Sequence, residues 1–92
     1  MATSRARLDT PQAKRLMTRL GRHWSHKFEV EMDEERLLVP FSEEARVTLL
    51  ASDAVLDIEI EHPEAEGETL QTVVAEHLQR FSKDEALRFD WH

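Results

Sequence analysis

Between Lys27 and Glu61 the chain alternates apolar and polar residues in four consecutive runs, joined by only two or three polar residues each time. Parallel neighbours need a crossover of a dozen or more residues, so runs joined this tightly can only form an antiparallel meander. Phe28, Val30 and Met32 alternate with Lys27, Glu29 and Glu31. Asp33-Glu34-Glu35 turns the chain into Arg36–Phe41, where Pro40 marks a strand end or an edge position. After Ser42-Glu43-Glu44, the residues Ala45, Val47, Leu49 and Ala51 form the third run. Ser52-Asp53 then connects to Ala54, Leu56, Ile58 and Ile60. A period of two puts each apolar set on one face of the sheet.

The flanks read differently. Residues 4–9 alternate Ala6 and Leu8 with Arg5, Arg7 and Asp9, which suits a short half-buried strand. Thr10 fits a helix N-cap, and Pro11 fits the first helical position, where a missing N–H costs nothing. Ala13, Leu16, Met17, Leu20 and Trp24 recur at helical spacing, so the helix is expected to reach about Trp24, with a weak point at Gly21. Pro63 opens a second helix, whose apolar face is Leu70, Val73, Val74, His77 and Phe81. Glu64, Glu66 and Glu68 suit the N-terminal dipole of that helix. Ser82–Glu85 reads as a loop, and alternating Leu87, Phe89 and Trp91 predict a last strand. The expectation is one two-layer α+β domain over residues 1–92, in the order β-α-β-β-β-β-α-β. Its four-stranded antiparallel meander is extended by terminal strands, with both helices packed on one face.

Composition removes several functions. The net charge is −7, which opposes non-specific nucleic-acid binding. No apolar run approaches the roughly 20 residues that span a bilayer, and no apolar core follows the basic N-terminus. A cytoplasmic, membrane-free protein is expected. Cysteine is absent, which excludes disulfides, thiolate ligands and a cysteine nucleophile. No Ser-centred elbow, H-E-x-x-H motif or glycine-rich phosphate loop is present, so catalysis is not the expected role.

Three constellations stand out. His23 and His26 lie three apart at the end of the first helix, and His77 sits within the apolar stripe of the second. If both helices pack on one sheet face, the three imidazoles can approach one another and ligate Zn or Fe, leaving an open position for water or a ligand. Trp24 and Trp91 can wall such a site. The competing reading makes these core histidines, their ring nitrogens satisfied by carbonyls or carboxylates. Second, residues 1–27 hold seven Lys/Arg and one Asp, whereas residues 28–92 carry a net −13. Arg15, Arg19 and Arg22 share one side of the first helix, which suits either an acidic partner or anionic ligand, or plain solvation. Third, if Phe28, Val47 and Ile58 face the helices, Leu38, Leu50 and Val55 face away. They stand there among charged residues, as a possible contact for a partner protein or homodimer.

The run Leu20-Gly21-Arg22-His23-Trp24-Ser25-His26-Lys27, the run Val73-Val74-Ala75-Glu76-His77-Leu78-Gln79-Arg80-Phe81 and the terminal Phe89-Asp90-Trp91 together resemble the bacterial domain of unknown function 2218 family. The resemblance covers essentially the whole chain. Similar domains occur alone or joined to siderophore-interacting flavin reductases, which implies an association with iron acquisition. The function expected on that basis is a small bacterial accessory or binding domain, linked to iron or siderophore handling. The alternative is a histidine-dependent transition-metal or haem site at His23, His26 and His77.

Overall fold

The structure is a computed structural model and describes residues 1–82 and 85–92. Strand β1 (Ala2–Asp9) leads into helix α1 (Ala13–Trp24). Four strands follow: β2 (Glu31–Met32), β3 (Arg36–Pro40), β4 (Arg46–Ala51) and β5 (Val55–His62). A 3-10 turn, Glu64–Glu66, then enters helix α2 (Gly67–Phe81). The sheet order is β1-β5-β4-β3-β2, antiparallel at every pairing. The meander supplies β2 to β5, and β1 adds at its far edge against β5. Helix α1 therefore carries the chain across the sheet from one edge to the other.

The alternation decides which face is buried. Ala6 and Leu8, Leu37 and Val39, Val47 and Leu49, and Leu56, Ile58 and Ile60 all turn inward. They meet Leu16, Met17, Leu20 and Trp24 from α1, and Val74 and Leu78 from α2. The opposite face is charged, and the register pairs its charges: Arg5 opposes Glu59 and Arg7 opposes Asp57, while Arg46 opposes Glu61. These pairs close at 3.1, 3.8 and 3.0 Å. Exposed pairs of this kind add little stability, but they disfavour register slips.

Several expectations change in detail. The first run of the meander, expected from Lys27 to Met32, is a strand only at Glu31–Met32; the chain from Ser25 to Phe28 instead turns back on the helix end. The amides of Lys27 and Phe28 both donate to the Trp24 carbonyl. Thr10 is not the cap residue of α1, which begins after Gln12. Its hydroxyl still accepts the Gln12 amide at 3.1 Å and donates to Glu85 at 2.6 Å. Pro63 leads into the 3-10 turn rather than directly into α2, and the α2 stripe is shifted, with Val74 and Leu78 fully buried. The expected last strand is not a laddered strand: among the described residues, 85–92 have no strand assignment. They keep the predicted alternation of half-buried and exposed positions, and Arg5 and His92 exchange both backbone hydrogen bonds at 2.9 Å. Part of the connection preceding this segment, at Lys83 and Asp84, lies outside the described residues.

Gly21 does not end α1; the helix runs through to Trp24. Its role is close approach. A Cβ there would stand 2.6 Å from the Met32 sulfur and 3.0 Å from Leu37 Cδ1. Met32 is 41% exposed and can swing away, whereas Leu37 is fully buried. Gly21→Ala is expected to change stability by less than about 1 kcal/mol, because helix propensity offsets the crowding. Gly21→Val should lose about 1–3 kcal/mol, since its extra methyls have only Leu37 and the sheet to displace. Urea unfolding of the two variants checks this order.

The described residues include a buried polar chain that ties three elements together. Gln71 on α2 donates to Ser4 Oγ on β1 at 2.8 Å. Ser4 Oγ lies 2.8 Å from His62 Nε2 at the end of β5, and His62 Nδ1 lies 2.8 Å from the Pro63 carbonyl. A carbonyl only accepts, so Nδ1 carries the proton and Ser4 donates to Nε2. His62 is therefore a core residue, 3% exposed. It continues the inward set of Leu56, Ile58 and Ile60.

Candidate functional site

The end of α1 and the middle of α2 meet above the β3 end of the sheet. The alternation and helical stripes that bury Trp24, at 4% exposure, leave His23 and His26 toward α2 on the solvent side. His26 stays near His23 because the helix end is wound tight: the Ser25 amide donates to the Gly21 carbonyl, and the Ser25 hydroxyl donates to the Arg22 carbonyl at 2.7 Å. His77 projects from α2 opposite. The His23 and His77 ring centroids are 5.1 Å apart, and those of Trp24 and His77 are 5.2 Å apart. Phe81 closes against His23 at 5.8 Å. Phe41, just past the end of β3, meets the Trp24 ring edge-on at 5.0 Å and Phe28 at 5.4 Å.

These side chains border an open-sided cavity of about 480 Å³, lined by His23, Trp24, His26, Lys27, Phe28, Phe41, Leu70, Val73 and His77. A cavity of this size, mostly apolar with a few polar groups, has the character of a small-molecule site. His77 Nδ1 lies 2.7 Å from the Val73 carbonyl and so must donate to it. The neutral ring then presents an unprotonated Nε2, in a fixed orientation. No hydrogen bond engages Nε2 among the described residues, and it is not sealed from solvent.

Partial desolvation of the His23 ring where it faces α2, then the neighbouring His77, Arg80 and His26, lower the His23 pKa below its ordinary 6.5. The folded chain thus resists protonating a group that the unfolded chain protonates freely. His23's contribution is complete above pH 6.5 and is lost as the pH falls below it, because the unfolded state then binds more protons. The fall in unfolding free energy on acidification from neutral pH should be shallower in His23→Gln than in the parent, as read by urea titrations at a series of pH values.

Three of the sequence-predicted histidines thus meet at one cavity, together with Trp24. Among the described residues, however, no three His, Asp or Glu side chains are placed to hold one metal ion. Trp91 is elsewhere, stacked on Phe89 with ring centroids 6.0 Å apart, and does not line the cavity. Arg15, Arg19 and Arg22 are exposed on α1; Arg15 hydrogen-bonds Gln12. Arg19 and Arg22 form no ion pair among the described residues. Leu38, Leu50 and Val55 stand on the outer sheet face, where Leu50 is 50% exposed and the other two are half-buried. Leu50 and Val55 share a shallow depression with Arg7 and Asp57, and Leu38 lies outside it. Sequence reasoning did not mark Phe28, Phe41 or Lys27 for this site. The one available signal was Phe41, an aromatic directly after the proline that ends its strand.

The family model described as an uncharacterised protein conserved in bacteria, domain of unknown function 2218, matches residues 5–92, and the chain belongs to that family. The chain is also similar to PA4090 from Pseudomonas aeruginosa, known from an NMR structure. That likeness has a TM-score of 0.84 at 36% sequence identity and covers 100% of this chain and 96% of that one. No curated protein matches the chain. Among the described residues no helix is long and apolar enough to cross a membrane.

Proposed function

We propose that this chain is a small, non-catalytic ligand-binding domain that acts beside a partner protein, with the cavity between α1 and α2 as its ligand site. The observation that carries the reading is the convergence of Trp24, Phe28 and Phe41 with three imidazoles around one apolar cavity. The aromatic walls suit a flat ligand, and His77 Nε2 offers it one fixed acceptor. Iron or siderophore handling is the setting that the family resemblance implies. The exposed Arg15, Arg19 and Arg22 and the Leu50 surface are the faces left for a partner or a second copy.

The test uses tryptophan emission. In a Trp91→Phe variant the only tryptophan is Trp24, which forms the cavity wall. A fused-ring aromatic such as 2-naphthol should quench its emission saturably, and His77→Ala should weaken that quenching. Linear, non-saturating quenching that is the same in both variants would contradict the proposal.

A second reading, a histidine-held transition metal or haem, draws on the same His77. A carbonyl-held Nδ1–H with Nε2 left free is how metal-binding imidazoles are commonly oriented. The His23 and His77 imidazoles, tilted by 52° to one another, are fewer donors than a closed zinc site needs, so further ligands would have to come from the incoming group or a partner. A red-shifted Soret band on adding hemin, or stoichiometric zinc uptake, each abolished by His77→Ala, would favour it over the organic ligand.

A further inference from the structure

The lining of this cavity departs from the rest of the molecule in charge. The chain carries 19 Asp and Glu against 12 Lys and Arg. Four other surface depressions all contain carboxylates: Asp57 and Glu59 in one, Asp9, Glu85 and Asp90 in the next, Glu35 and Asp57 in a third, Glu43, Glu44 and Glu61 in the last. Among the described residues the α1–α2 cavity is lined by none. Its polar lining is His23, His26, His77 and Lys27. Among the described residues Lys27 forms no ion pair; its ammonium lies 6.0 Å from the Phe28 ring centroid. The negative end of the α1 dipole would oppose an anion here, but three of its last four carbonyls are already occupied. Gly21, Arg22 and Trp24 carbonyls accept from Ser25, from the Ser25 hydroxyl, and from Lys27 and Phe28.

We infer that the ligand of this cavity is an aromatic anion, its ring lying against the wall that Phe28, Phe41 and the edge of Trp24 form together, and its anionic group at the rim beside Lys27 and His26. The inference rests on the ligand-binding reading above and adds the ligand's charge. A lining without carboxylates among the described residues matters because a single facing carboxylate would offset one ammonium. The Lys27 ammonium is mobile and rim-placed, so it can follow an anionic group without any change in the core.

Calorimetric titration with two probes of one shape, 2-naphthoate and 2-naphthamide, tests it. Naphthoate should bind at least about fivefold more tightly, and this advantage should shrink as salt is added. Lys27→Gln, at an exposed position, should weaken naphthoate about three- to tenfold more than it weakens naphthamide. Equal affinity for the two probes would overturn the charge inference and leave the cavity as a ligand site. Binding of neither probe would overturn both. A naphthoate advantage that survives in Lys27→Gln would overturn the assigned position of the anion.

Discussion

Trp24→Ala is expected to be among the most destabilising single substitutions in this chain, costing about 3–5 kcal/mol. A domain of this size holds about 5–14 kcal/mol in total. The indole is 4% exposed and joins two functions. Its buried side fills the core with Leu20 and Met17, and its outer side meets His77 and Phe41 and walls the cavity. Removing it leaves a void beneath α2 that neighbouring rings cannot close without losing their own packing. Trp24→Phe keeps an apolar ring and should cost under half as much. Urea midpoints at unchanged slope give both values. A loss below about 1 kcal/mol for Trp24→Ala would mean that the indole does not support α2.

The second large effect is a coupling. His62→Ala should cost about 2–4 kcal/mol, because it empties a core position and leaves the buried Ser4 hydroxyl without its acceptor, while the Pro63 carbonyl keeps the Glu66 amide at 3.0 Å. Gly67 explains why the ring fits. A Cβ on Gly67 would lie 2.8 Å from His62 Cε1, and the ring is held at both nitrogens, so it cannot turn aside. Gly67→Ala should therefore cost about 1–2 kcal/mol in the parent despite alanine's better helix propensity. In the His62→Ala background the obstruction is gone, and the same change should become neutral or stabilising by up to about 1 kcal/mol. The double-mutant cycle isolates this sign change. Additive losses would show that α2 does not rest on the His62 ring.

The outline of this fold is legible in its sequence because its strands are amphipathic and its joints are short. Leu37 with Val39, Val47 with Leu49, and Leu56 with Ile58 and Ile60 read inward by alternation, and they are inward. The outer placement of Leu38, Leu50 and Val55 follows from the same parity. The weaker parts fail for local reasons. Phe28 and Val30 alternate like a strand, but the chain first returns two amides to the Trp24 carbonyl, leaving only Glu31 and Met32 to pair. Leu87, Phe89 and Trp91 alternate too, yet their segment meets β1 through one backbone pair, at Arg5 and His92.

The candidate site was half legible. His23, His26 and His77 could be brought together by placing two stripes on one sheet face, and Trp24 by its position between the first two. Phe41 and Phe28 enter from loops, where periodicity gives no direction. His62 shows the opposite case: it continues the inward parity of Leu56, Ile58 and Ile60, although a proline that opens the next element directly follows it.

The most direct measurement of the central claim is a map of amide and indole shifts in the ¹⁵N-labelled chain as 2-naphthoate is added. A ligand seated between α1 and α2 should move the Trp24 indole and the amides of His23, His26, Lys27, Val73 and His77 together, saturably and at one site. Shifts centred on Arg5, Thr48, Leu50 and His92 at the outer sheet face, or no saturable shift at all, would contradict it.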